Sequence, residues 1–551
     1  MLKSILKKSV FKFLDFSFKI VIKQIIKDKA IMPHNIIDDT YEVFDNINEN
    51  KMYNKKILIP YEDINLLNKI NIYRPYEILE VDFIQKNSSK TVKLNNTKDM
   101  ILPLIVLDKN GTNKSNDNIV LEYGKKNVEL ELKYKNRVHY LPIKSDTVID
   151  EIDIKTDNLS LVIGKPFYKD KQLLENKPKL IIHIFVDALT QCMIDMFGYD
   201  IMPNTKKFFS NGGTFYTNTY AQAEWTLSSM AGILTGQYTN EHLLYHPRRE
   251  DKISHTTIAD VLSKDGYNTF ACTNIPKLTA VNGYDKGFDR YILAVDKDYN
   301  YIINEAIEQL DAFEGNQYQF LSFFDVHESH TLQSISTQVL SDIEDFKFKQ
   351  LIGNSKATDV LYDSERINMY KNTITHFDKK LQRLYNKIDS YDKDAIVVLH
   401  SDHGVNFMTK TTELLGKERE KVVFLYKNNK EHKIDSSIKE IRELSSMIRN
   451  DLDIKDGIKY EYKGYAITES LYPNKEYEIA IRDDKNVLFF KVPWQDILDN
   501  NIDSYNFTTT FHDIYDETKI IEQNKNYERL IEVIKKHYLH LIIKFKDYKE
   551  K

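Results

Sequence analysis

The chain has 551 residues, enough for two or three domains with ample apolar sequence for a core. Its net charge of -5 argues against nucleic-acid binding, and its two cysteines, Cys192 and Cys272, exclude a disulfide scaffold and permit a reducing compartment. Residues 1–30 are basic and apolar, but lysines interrupt them too often for a membrane span or the core of a signal peptide. Lys8, Lys12, Lys19 and Lys23 share one helical face, so this leader suits either an anionic membrane surface or docking on the protein's own body. The expected location is cytoplasmic, with peripheral contact at the inner membrane surface through residues 1–30.

Residues 31–175 carry strand signals: Tyr76–Ile84, Ile101–Leu107, Asn127–Tyr134 and Leu159–Gly164 are short alternating or apolar runs, separated by turn residues such as Asn110-Gly111. They predict a β-rich accessory domain, expected to pack against the remainder of the chain or to bind glycan. From residue 176 onward strands and helices alternate. Lys179–Asp187 is an apolar run that closes on an aspartate. Ala223–Gly236 reads as a helix whose Thr226 suits either a plain N-cap or, beside a metal, a nucleophile. Thr257–Gly266 predicts a helix with a glycine stop, and the strand after it ends at Cys272-Thr273-Asn274.

Tyr370, Ile374, Phe377, Leu381, Leu384 and Ile388 recur at helical spacing just before Asp394–Gly404. That stretch is a β-branched strand running into Asp402, His403 and Gly404: a hard oxygen, an imidazole and a residue without a Cβ. By itself it fits either a ligand site or a helix cap beside a solvated histidine. In open α/β sheets ligands collect where such strands end. The tail, from about residue 430, predicts a hairpin over Tyr477–Arg482 and Asn486–Val492 and a last helix from Tyr527 to about Ile543.

Taken together, Val186-Asp187-Ala188, Trp225–Met230 with Leu234-Thr235-Gly236, Asp265–Thr269, Lys286–Tyr291, Asp325-Val326-His327-Glu328 and Ser401–Gly404 resemble, in order, the alkaline phosphatase superfamily in its sulfatase-like branch. The resemblance covers roughly residues 178 to 545. It implies an α/β fold with a mixed sheet sandwiched by helices, here preceded by the β-rich region, and a catalytic domain over residues 176–551. It also implies that Asp187, Asp402 and His403 hold one divalent ion together with Thr226, and that Thr226 is the nucleophile. His327 would then contact the transferred group or the leaving oxygen. Asn274, His330 and Lys410 are candidates for substrate contact, with Lys417 as an alternative to Lys410. The mixed donor set suits zinc or manganese, and magnesium less well.

Departures from the pattern narrow the chemistry. Sulfatases of this branch convert a cysteine or serine to formylglycine within a motif that ends in arginine. Thr226 cannot be converted in that way, and Met230 stands at the arginine position. Threonine nucleophiles belong to phosphoryl-handling relatives such as phosphoethanolamine and phosphoglycerol transferases. The expected function is therefore a metal-dependent transferase that moves a substituted phosphoryl group, through a covalent phospho-threonine, onto a cell-surface or capsular glycan. A hydrolase of phosphate or sulfate esters and a non-catalytic glycan-binding relative are the alternatives. The expected partners are a glycan or phosphodiester substrate and no nucleic acid.

Overall fold

The computed structural model describes residues 41–43, 55–60, 76–84, 88–107, 118–132, 138–157, 159–169, 173–245, 252–295, 297–313, 315–327, 362–455, 462–470, 476–493, 496 and 507–549. The leader, His330 and Glu328 lie outside the described residues. Among the described residues no helix is long and apolar enough to cross a membrane.

The centre of the molecule is a strand whose seven residues, Leu180–Val186, are all buried. It is hydrogen-bonded in parallel to Gln317–Phe323 on one side and to Ile396–His400 on the other. Asn268–Thr273 and then Arg290–Leu293 extend the parallel sheet beyond Gln317–Phe323. On the other flank Lys421–Lys427 runs antiparallel to Ile396–His400, and Gly213–Tyr220 pairs antiparallel with it in turn. The sheet is therefore mixed, as the family resemblance implies.

Both faces of this sheet are covered, which is why its strands read as continuous apolar runs rather than as alternation. Leu180, Ile182, Ile184 and Val186 pack into one core with Tyr370, Ile374, Phe377, Leu381 and Leu384. Ile181 and Phe185 point into the other, with Leu227, Met230, Ile233 and Leu234. The two-residue period of the strand thus sorts its side chains between the long helix Ser364–Tyr391 and the short helix Thr226–Thr235.

The N-terminal region is antiparallel. Ser88–Leu107 and Val138–Thr156 form a long ladder with irregularities near Thr97, and Ile119–Tyr123 and Ser160–Gly164 flank it. It meets the central sheet edge to edge, because Tyr76–Ile84 pairs with Arg290–Leu293 (Tyr291 opposite Ile78) as well as with Ser160–Gly164. At the other end of the chain, Ala466–Ser470, Glu476–Arg482, Asn486–Pro493 and Thr508–Asp513 make a separate four-stranded antiparallel sheet. Its core includes Leu530, Ile531 and Ile534 of the helix Lys525–Lys549.

Candidate active site

Three adjacent parallel strands end at the same sheet edge, and each delivers site residues as it leaves. Asp187 follows Val186, the Phe324–His327 turn follows Phe323, and Ser401-Asp402-His403 follows His400. The register sets Val186 opposite Phe323 and Phe185 opposite His400, so these exits lie side by side. Thr226 arrives from the other direction, as the first residue of the helix Thr226–Thr235.

The N-cap position belongs to Trp225, which is extended and makes no side-chain capping bond, so the Thr226 hydroxyl is left for the site. It lies 3.5 Å from Asp187 Oδ2 and 3.3 Å from His403 Nε2. The plain-cap reading of Thr226 is thereby excluded. The first N–H groups of this fully buried helix carry no side-chain cap and face the same end, where an anion is favoured.

His403 Nε2 is 3.6 Å from Asp187 Oδ1 and 3.3 Å from Asp402 Oδ2, and His327 Nε2 is 3.9 Å from Asp187 Oδ1. One ligand atom from each of Asp187, His327 and His403 falls within 4.8 Å of the other two. Asp187 and Asp402 are essentially inaccessible, His403 is buried, and His327 is partly exposed beneath a stack on Phe324.

The surrounding bonds orient each ligand. Nδ1–H of His403 donates to the Gly404 carbonyl at 2.9 Å, which turns the Nε2 lone pair toward the carboxylates. Oδ1 of Asp402 accepts from the N–H groups of Ala188 and His403. Ser229 donates to the Asp402 carbonyl, and Ser401 donates to that of His403, which ties helix and loop together. Ala188 holds a left-handed φ of 61° directly after Asp187, and its carbonyl accepts from Tyr370. Gly404 is required for a different reason from the turn expected of it. A Cβ there would stand 2.1 Å from the Glu418 carbonyl oxygen and 2.8 Å from Thr190 Cβ.

This donor set fits a divalent cation. Asp187 Oδ1 and Asp402 Oδ2 are buried without a hydrogen-bond partner. Burial, and then the Asp402 carboxylate, push Asp187 well above the ordinary carboxylate range, against the lowering effect of the Thr226 hydroxyl. Two buried acids that lack a protein cation are costly unless an ion from outside joins them.

Three of the expected substrate contacts do not reach this centre. Asn274 is fully buried: its amide nitrogen donates to Asp325 Oδ2 at 2.9 Å and its carbonyl accepts from the Phe324 N–H at 2.7 Å. It therefore holds the turn that carries His327 instead of facing a ligand. The carboxyl of Asp325 is raised to about 7, mainly by burial. Lys410 is exposed over the ring of Tyr362 and borders a separate cavity, while Lys417 reaches the carbonyl of Tyr515. Both are drawn away because the chain after Met408 runs out toward the C-terminal sheet.

Other neighbours of the site were not foreseen. Lys277 lies 5.9 Å from the centre of the Trp225 ring and makes no hydrogen bond or ion pair among the described residues. Burial holds its ammonium below the usual lysine value. Its position four residues beyond the end of the parallel strand Asn268–Thr273 was the available signal. Beneath the site His183 and His400 meet at 2.5 Å between their Nε2 atoms, and Tyr318 lies 3.0 Å from His183 Nδ1. Burial keeps both imidazoles below their ordinary range, so this pair is a neutral core element.

The sulfatase family profile matches residues 179–441. No curated protein matches the sequence. Among solved structures, one similar chain was determined with its substrate D-glucosamine-2-N,6-O-disulfate: it is 15% identical, covers 67% of this chain and 99% of its own, and has a TM-score of 0.48. The phosphonate monoester hydrolase of Agrobacterium radiobacter is 12% identical, covering 67% of this chain and 96% of its own at a TM-score of 0.49. A Bacteroides thetaiotaomicron structure from work on glycosaminoglycan metabolism is 13% identical, covering 67% and 97% at a TM-score of 0.48. The segment matched by the profile contains all three strand ends and the Thr226 helix, so residues 179–441, the part of the chain that builds the site, are what is similar to the sulfatase family.

Proposed function

We propose that this site performs metal-dependent transfer of a substituted phosphoryl group, with Thr226 as the nucleophile and a glycan hydroxyl as the final acceptor. The observation that carries the proposal is the Thr226 hydroxyl, lying within 3.5 Å of both Asp187 and His403 at an uncapped helix start. Asp187, Asp402 and His403 would hold the cation, with His327 and Thr226 within reach of it. When bound, a divalent ion lowers the pKa of a neighbouring hydroxyl and screens the charge of a phosphodiester.

The Thr226 hydroxyl gives its proton to solvent, Oγ1 attacks phosphorus, and the bond to the leaving oxygen breaks. The helix N-terminus stabilises charge that develops on the non-bridging oxygens. Lys277 supplies positive charge on the Trp225 side. His327, partly exposed and fixed by its stack on Phe324, protonates the leaving oxygen. An acceptor hydroxyl then attacks the phospho-threonine, its proton passing to His327, and the bond from phosphorus to Oγ1 breaks. We place this reaction on the cytoplasmic side, where the donor is a soluble activated one, such as a nucleotide-linked phosphodiester.

Hydrolysis, with water as the acceptor, is the second reading, and the match to the sulfatase family supports it. Sulfate esters fit less well, since Thr226 cannot become formylglycine. A purely glycan-binding relative would have no use for two buried, unpartnered carboxylate oxygens. Intact mass measurement after incubation with candidate donors and zinc or manganese tests the proposal. A substituted-phosphoryl adduct that maps to Thr226 and discharges onto an oligosaccharide supports transfer. Turnover of a diester with no adduct, in an enzyme whose Thr226→Ala variant is equally active, overturns it.

A further inference from the structure

A cavity of about 740 Å³ lies on the far side of the loop that carries His403. Met408, Lys410 and Glu418 of that loop line it, together with Asn218, Asp484 and Tyr515 among others. The backbone of Glu418 accepts from the Val405 N–H at 3.2 Å, so the wall of the cavity and the Asp402-His403 turn are two sides of one hydrogen-bonded unit. Of the residues assigned above to the metal centre or substrate contact, Lys410 and its alternative Lys417 line this cavity, and the metal ligands do not.

We infer that this cavity is a binding site for a neutral saccharide. Its rim presents three exposed tyrosines, Tyr362, Tyr462 and Tyr515, with relative exposures of 45%, 54% and 83%. Flat aromatic faces with a polar tip match the C–H faces and hydroxyls of a sugar ring.

The wall is rich in polar groups but carries no excess of positive charge. Three lysines (Lys410, Lys417, Lys421) stand against four carboxylates (Asp195, Glu418, Asp483, Asp484). Lys421 pairs with Asp195 at 2.8 Å, and Asp483 is paired with Arg529. Lys410 lies over the Tyr362 ring and Lys417 donates to the Tyr515 carbonyl, and with four carboxylates on the same wall a nucleotide or a polysulfated chain would find no net positive charge there. Asn218 sits where the ladder between Gly213–Tyr220 and Lys421–Lys427 is interrupted, between Tyr216 and Thr219. Asn218 and Asp484 make no hydrogen bond or ion pair among the described residues, and they offer donors and acceptors for hydroxyls.

The test uses the full chain, fluorescently labelled, on an array of neutral oligosaccharides of glucose, galactose and N-acetylglucosamine beside their sulfated counterparts, with calorimetry on the best binder. The wild type binds at least one neutral oligosaccharide, and Tyr515→Ala and Asp484→Ala each weaken it about tenfold. Both variants hydrolyse bis(4-nitrophenyl) phosphate like the parent. Binding confined to sulfated members, no binding at about 1 mM, or affinity indifferent to both substitutions overturns the inference. The diester assay reads the catalytic proposal separately: no turnover with tyrosine-dependent saccharide binding sinks the chemistry and leaves the cavity site standing.

Discussion

Buried carboxylates are handled in two opposite ways in this molecule. Glu440 is 1% exposed, yet both of its oxygens are satisfied within the chain. Tyr238 donates to both, the Ile467 N–H donates to one, and Arg442 forms an ion pair with the other at 2.7 Å. Asp187 and Asp402 are buried as deeply, but each keeps an oxygen with no partner, and the neighbouring nitrogen of His403 is an imidazole Nε2 presented as a lone pair. Where the chain supplies a guanidinium the acid serves the fold; where it supplies only oxygen and imidazole donors, the acid is ready for an ion from outside.

The contrast predicts which assay each substitution moves. Thr226→Ala removes the nucleophile and should cut diester turnover by ~10⁴ or more, with the thermal midpoint changed by no more than a degree or two. A variant that retains a tenth of wild-type turnover would break the contrast on the catalytic side. Arg442→Ala should do the reverse: leaving Glu440 buried without its cation costs about 3–5 kcal/mol of stability, read as a large drop in the denaturant midpoint. The surviving folded fraction should still bind metal like the parent. Chelation falls between them. Stripping the ion from Asp187, Asp402 and His403 should abolish turnover and lower stability by about 2–3 kcal/mol relative to protein held at a hundredfold excess of zinc or manganese over its dissociation constant. A metal-independent melting curve would mean that the two open oxygens are satisfied in another way.

Much of this arrangement was legible from the residues. The apolar runs at Ile181–Val186 and Ile396–Leu399 announced strands covered on both faces, and their polar ends marked the sheet edge where Asp187, Asp402 and His403 meet. The helical recurrence from Tyr370 to Ile388 marked a packing face, all of it buried. What could not be read was the direction of polar side chains within loops. Asn274 and Lys277 are three residues apart, yet one is locked beneath the His327 turn while the other lies beside Trp225. Lys410 follows His403 by seven residues, but the chain has by then left the centre. Pairings between distant segments, such as Arg290–Leu293 with Tyr76–Ile84, also leave no local signature, because register between edge strands is set by tertiary contact.

A third way of handling a buried acid sharpens the comparison and gives the smallest effect. Glu420 is fully buried, neither of its carboxylate oxygens has a hydrogen-bond partner, and Arg482, the nearby guanidinium, is paired with Glu517 at 2.9 Å. Burial is the main cause that raises its carboxyl to about 8, opposed by Arg419 and Arg482 and reinforced by Glu224 and Glu517. The folded state then holds a proton that the unfolded chain releases near pH 4.3. Because the native form binds more protons across this window, stability should fall as pH rises from about 4.5 through about 8, and level off above it. Glu420→Gln mimics the protonated acid and should flatten that decline, gaining about 1–2 kcal/mol over the parent at pH 9 while matching it near pH 5. Thermal unfolding across pH 5–9 with the metal site kept saturated reads the difference. Parallel pH profiles would show that Glu420 is ionised in the fold, and a cation would then have to be sought for it as well.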